Sequence, residues 1–244
     1  MPAVSVPGLA PRRLVASKPP ARHQPELANG DRLGAGEFLR RYEGMPEVKK
    51  AELINSIVYM ASPVRIDLHA EADNLVQTCL GTYAAATPGT RAAANGTVRL
   101  SVDDVVQPDA FLRILEPHGG RASLDEKGYL LGPPELVIEI AASSVSIDVG
   151  EKRNSYRRAG VQEYVVWRTE DGEIDAWRLD EDQFASMAAD EAGIWRSAAF
   201  PGLWLNLPAL LEQAGDKLLA TLQEGLASEA HAAFVKRLGE PVQP

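Results

Sequence analysis

With 244 residues, 45% of them hydrophobic, the chain can bury a core without disulfides or structural metals. One cysteine, Cys79, excludes a disulfide framework and a cysteine-rich zinc site and fits a reducing cytoplasm. No apolar run approaches the roughly 18 residues that cross a bilayer, so no membrane association is expected. The 25 basic and 34 acidic residues give a formal charge of −9, which argues against non-specific coating of nucleic acid.

That charge is unevenly spread. Residues 1–30 hold six prolines, four Lys/Arg and one acid, a balance of +3 that leaves −12 for the remainder. This composition predicts a disordered basic tail over 1–33. The lack of an apolar stretch of about 7–15 residues argues against a secretory signal. A main domain is expected over 34–207, followed by a helical segment over 208–244 packed on it.

In chain order, residues 37–42 (EFLRRY) read as a short helix closed by Gly44 and Pro46. Residues 52–60 (ELINSIVYM) have the β-branched and aromatic content of a strand. From 67 to 86, Leu68, Ala72, Leu75, Val76, Cys79, Leu80 and Tyr83 recur at helical spacing. Strands are expected over 97–102, over 105–115 with an interruption at Pro108, and over 135–141. A helix over 148–159 opens on Asp148 and Glu151, the spacing of a capping box, and ends at Gly160. Asp171-Gly172 is a hairpin signal between strands 163–167 and 173–179. Residues 208–238 are helical. Strands separated in some places by helices and in others by hairpins predict an α/β fold, a mixed sheet flanked by helices.

Several chemistries lack their motifs. There is no phosphate-binding P-loop, no dinucleotide fingerprint and no G-x-S-x-G elbow, and the four histidines never stand at H-x-x-x-H spacing. What stands out is Glu139. Alternation places Leu136, Ile138 and Ile140 on one face of its strand, and Glu135, Val137, Glu139 and Ala141 on the other. Glu135, at the strand end, is expected to reach water. Glu139 lies inside an apolar run, where a carboxylate is protonated, paired or metal-bound, unless the strand end is open. Asp109 follows Pro108 at the mouth of another strand, either as a turn residue or as a second carboxylate for a hard divalent cation. On the helix from 148, Lys152 shares a face with Val149 and Tyr156, toward the sheet, where it either snorkels or meets Glu139 or a phosphate. Glu151, Asn154, Ser155 and Arg158 form the polar side.

The order Q-P-D (107–109), V-I-E (137–139) and D-x-x-x-K (148–152) resembles the PD-(D/E)XK nuclease superfamily. It is most similar to the Uma-type restriction endonucleases, a large bacterial family. EFLRRY (37–42), AELINS (51–56), PPELVIEI (133–140), YRRAGVQEY (156–164) and FPGLWL (200–205) extend that resemblance over about residues 34–238. It implies a restriction-endonuclease-like fold and hydrolysis of DNA phosphodiesters with Mg²⁺ or Mn²⁺. Asp109, Glu139 and the main-chain carbonyl of Ile140 would hold the metal, with Glu52 a further candidate. Lys152 would be the active-site lysine, and His69 and Tyr156 would lie beside the site. The superfamily lysine two residues after the glutamate is replaced by Ala141, and Asn55-Ser56 replaces the usual Asp-Gly.

Arg153 and Arg157, with Lys152 and Arg158, make a local basic cluster expected to meet substrate phosphate. A homodimer is the expected assembly. The alternatives are a nuclease-fold module that binds DNA or regulates without turnover, and a self-associating structural domain. A two-carboxylate glycosidase is disfavoured by an aromatic content of 6%.

Overall fold

A computed structural model describes residues 25–60 and 65–240. Residues 1–24, most of the expected tail, lie outside the described residues. The rest of that segment belongs to the fold: Leu27 is buried and the amide of Gly30 donates to the Val58 carbonyl at 2.8 Å. An apolar side chain and free backbone donors beside a sheet edge are enough to anchor it.

The described chain begins with α1 (Ala35–Glu43) and the strands β1 (Ala51–Ile54) and β2 (Ile57–Met60), followed by α2 (Glu71–Ala86). Next come β3 (Thr90–Ala94), β4 (Val98–Arg99), β5 (Val105–Val106), β6 (Ala110–Ile114), β7 (Ser123–Leu124), β8 (Leu130–Leu131) and β9 (Leu136–Ala141). A short turn of helix, α3 (Val145–Ile147), leads into α4 (Arg153–Ala159). Then follow β10 (Glu163–Arg168), β11 (Glu173–Asp180), β12 (Gln183–Ser186), β13 (Ile194–Arg196) and β14 (Trp204–Asn206). Three helices close the chain, α5 (Leu207–Leu211), α6 (Gly215–Leu226) and α7 (Glu229–Leu238).

The fold is mixed α/β, as expected, but its strands form two six-stranded sheets. The central one runs β12-β11-β10-β9-β6-β3, with β9 and β10 parallel and its other neighbours antiparallel. The second runs β2-β1-β5-β4-β8-β7. The expected strand over 105–115 passes from one sheet to the other: β5 pairs with β1, β6 pairs with β9, and Gln107–Asp109 form the crossing. Proline at 108 has no N–H to offer a ladder, so pairing breaks there.

Leu136, Ile138 and Ile140 face α2, β14 and the C-terminal helices in one core, with Cys79, Leu80, Leu112 and Leu218. Val137 and Ala141 face the other core, with Tyr156, Tyr164 and residues of the second sheet such as Ile54, Val98 and Leu130. The assignment of β9 faces from alternation is therefore correct. A third, smaller core lies under α1 and holds Phe38, Leu53 and Val58.

Some sequence expectations change. Residues 52–60 are two strands of a hairpin, because Asn55 and Ser56 adopt φ of 50° and 64° and make a two-residue turn. Glu135 does not reach water: it is buried and accepts the Ile114 amide at 2.8 Å, just past the last β6–β9 pairing. Residues 208–238 are three helices, since Asn206 and Ser228 each cap a new start. Ser155 is buried, unlike the exposed Arg158, and both side chains bind Asp104, at 2.6 and 3.3 Å. Asp104 also accepts the Asn55 amide at 2.9 Å, so it ties α4 to the β1–β2 turn.

Burial pushes the Cys79 thiol up to about 12. The expected outcome is negligible reaction of Cys79 with a thiol reagent at neutral pH in the folded protein, and stoichiometric reaction once urea unfolds it. Rapid native labelling would contradict this packing of α2.

Candidate active site

The site forms where the chain crosses between the sheets. Asp109 stands at the crossing, Glu139 near the end of β9, Glu52 in β1, and Lys50 just before β1. Two helices complete it, and each is entered through a widened, π-type turn. Ile66–Ala70 precedes α2 and carries His69; Asp148–Lys152 precedes α4 and carries both end residues named. Such turns re-aim side chains relative to a regular helix and recur at functional sites.

Asp148 is consequently not the helix cap its spacing suggested. The helix begins at Val145, and no side-chain cap bond forms at Ser144 or Ile147. Asp148 is buried instead, accepting from the Ser144 hydroxyl and lying 3.6 Å from the Lys152 ammonium. Glu151 is exposed. A buried carboxylate is tolerated here because a buried cation faces it.

Lys152 occupies the floor. Its Nζ lies 2.8 Å from Glu139 Oε1, 3.1 Å from Glu52 Oε1 and 3.6 Å from Asp148 Oδ1. Burial opposes its charge, but Glu139, Glu52 and Asp148 outweigh it and hold the ammonium well above the ordinary lysine range. The Tyr156 hydroxyl donates to Glu139 Oε1 at 2.7 Å, and the Gln107 amide donates to Glu52 Oε1 at 2.7 Å. The face shared by Lys152 and Tyr156 therefore does turn to the sheet.

Asp109 sits nearer the mouth. Its Oδ1 meets Lys50 Nζ at 2.7 Å; its Oδ2 accepts the Ile140 amide at 2.9 Å and faces His69 Nε2 at 3.4 Å. Burial opposes ionisation, but the His69 bond, Lys50 and Lys152 hold the carboxyl well below its usual range. The same contact raises the His69 pKa. Burial pushes Glu139 up to about 8, with Lys152 pulling down and Asp109, Asp148 and Glu52 pushing further up. Gln77 fixes the crossing by donating to the Asp109 carbonyl at 2.6 Å.

Asp109 and Glu139 meet directly, the Asp109 amide lying 3.4 Å from Glu139 Oε2. The Ile140 amide points to Asp109 beyond the end of β6, and its carbonyl lies on that same edge of β9. Among the described residues there is no group of three or more His, Cys, Asp or Glu side chains set to hold a metal by themselves. Two carboxylates and a carbonyl nevertheless fit a hard divalent cation of the magnesium type, which needs only one or two carboxylates and keeps waters.

Of the residues expected at the site, Asp109, Glu139, Ile140, Lys152, Glu52, His69 and Tyr156 come together. Arg153 and Arg157 do not join them. The Arg153 guanidinium lies 5.1 Å over the Trp177 ring, and Arg157 donates to the Asp182 carbonyl at 2.6 Å. Sequence reasoning missed Lys50 and the role of Asp148. Alternation was the available signal for Lys50, which stands two residues before Glu52 on the same side of β1.

A sheet-end carboxylate pair thus stands beside a buried lysine on a mixed sheet flanked by helices. The model of the Uma2 family, described as putative restriction endonucleases, matches residues 35–208, and the chain belongs to that family. Among solved structures it is similar to a putative nuclease of the DUF820 family from Anabaena variabilis ATCC 29413. The TM-score is 0.49 at 14% identity, covering 75% of this chain and 98% of that one. No curated protein matches the chain. Among the described residues, no helix is long and apolar enough to cross a membrane.

Replacing Lys152 with Met leaves three buried carboxylates without their cation, and a loss of about 3–5 kcal/mol in urea unfolding is expected. Tyr156→Phe removes one buried hydrogen bond and is expected to cost about 1–2 kcal/mol. Lys152→Met unfolding at the wild-type urea midpoint would contradict the assigned floor.

Proposed function

We propose that this chain is a metal-dependent endonuclease that hydrolyses DNA phosphodiester bonds. The observation that carries the reading is the convergence of Asp109 and Glu139, 30 residues apart, on one sheet end beside the Ile140 carbonyl. Asp109, Glu139 and that carbonyl would hold Mg²⁺ or Mn²⁺. Such an ion, when bound, supplies an acidified water and stabilises charge on a phosphoryl oxygen.

The protein's own groups prepare that arrangement. Lys152 and Tyr156 hold Glu139 Oε1 from below, and Oε2 lies 3.4 Å from the Asp109 backbone amide. The Ile140 amide orients Asp109 from the β9 side. His69 flanks Asp109 and can steady a water at the mouth. Lys50 and His69 stand at the rim beside Asp109, where a polyanion would approach. DNA as the substrate rests on the family's description.

Plasmid nicking tests this directly. The wild-type chain is expected to convert supercoiled DNA in Mg²⁺ or Mn²⁺ and to stop in EDTA. Asp109→Asn and Glu139→Gln, which keep shape and remove charge, are each expected to lower the rate about 100-fold or more. Equal nicking by all three proteins would identify a contaminant and refute the site. DNA binding with no nicking in either metal would favour a non-cutting module.

A further inference from the structure

Two lysines reach the carboxylates, and their surroundings differ. An ammonium has three donors and no acceptor. Those of Lys152 face Glu139, Glu52 and Asp148, and only 4% of its side chain is exposed. Its ammonium is enclosed by carboxylates, two of them within hydrogen-bond distance, and is shut off from a ligand outside the floor. Lys50 has one carboxylate at bonding distance, Asp109 at 2.7 Å, and 26% of its side chain is exposed. Lys50 and Glu52 leave the same side of β1, but Glu52 turns inward to Lys152 while Lys50 reaches Asp109 from the mouth.

Lys50 also holds an oxygen that a divalent cation would need. Asp109 Oδ2 is taken by the Ile140 amide and His69, so Oδ1, paired with Lys50, is the oxygen left to exchange. A divalent ion and an ammonium on one oxygen repel each other. The lysine has a flexible four-carbon stem and an open side on which to move. The nearest new anion in a loaded site is the phosphate that the ion itself would recruit.

We infer that Lys50, rather than Lys152, is the lysine that meets the substrate phosphate. It neutralises Asp109 until a divalent ion binds, then yields Oδ1 and pairs with a phosphoryl oxygen. Lys152 is a positioning residue that fixes Glu139. The inference rests on the phosphodiesterase reading above, and its first half stands independently of turnover.

The test uses the full chain as wild type, Lys50→Met and Lys50→Arg, each checked for a wild-type thermal melt. Mn²⁺ alone is titrated by electron paramagnetic resonance, and plasmid cleavage is followed at saturating Mn²⁺. Lys50→Met is expected to bind Mn²⁺ about tenfold more tightly, because the competing ammonium is gone. It should nevertheless cleave about 100-fold more slowly, and Lys50→Arg should recover part of that rate. Unchanged or weaker Mn²⁺ binding by folded Lys50→Met would overturn the exchange. Wild-type cleavage by Lys50→Met would overturn the phosphate role and leave the nuclease reading intact. A wild type that never cuts, with tighter Mn²⁺ binding in Lys50→Met, would overturn the phosphate role together with the nuclease reading, while the exchange would stand.

Discussion

The buried ammonium of Lys152 is the constraint on which the site is built. It draws Glu139 of β9, Glu52 of β1 and Asp148 of the helix entry to one point, so it joins the central sheet, the second sheet and α4. Three carboxylates in an apolar interior would repel and demand protons. With the cation among them that repulsion is eased, and Tyr156 and the Gln107 amide satisfy oxygens from the sides. Buried ion clusters seldom raise stability over a well-packed apolar core. What this one secures is geometry: Glu139 is fixed with one oxygen turned to Asp109.

Backbone features set the remaining directions. Pro108 breaks the ladder where the chain leaves β5 for β6, and this frees Asp109 to stand between the sheets. Widened turns at Ile66–Ala70 and Asp148–Lys152 rotate His69 and Lys152 to the site before the regular helices begin. Asp104 locks α4 against the β1–β2 turn through Ser155, Arg158 and the Asn55 amide. Lys50 stands outside this lattice, held by Asp109 alone at the rim.

Much of this was legible in the sequence because it follows from periodicity. Alternation along ELVIEIA separated Glu139 from the apolar face, helical spacing set Lys152 with Tyr156, and Pro108 marked a broken strand. The misreadings were nonlocal or came from irregular backbone. Spacing alone makes Asp148 and Glu151 a cap, but a π-type turn and a buried partner 3.6 Å away turn Asp148 inward. Glu135 looks terminal until β6 supplies the Ile114 amide. Arg153 stacks over Trp177 and Arg157 donates to the Asp182 carbonyl, contacts that no local spacing announces. The second sheet is built from strands as short as two residues, below what any pattern can register.

The net charge of −9 with which the sequence begins acquires a location. Part of the acidity is internal, gathered round Lys152 at the floor, and Lys50 and His69 are the basic side chains that reach Asp109 at the mouth. Asp109 and Glu139 are proposed to hold one divalent cation together at the end of β9. Crystals soaked in Mn²⁺ and measured at an anomalous wavelength test it most directly. A single strong peak within reach of both the Asp109 and Glu139 carboxylates is the expected result. A density map with Mn²⁺ bound elsewhere and none between those two carboxylates would contradict it.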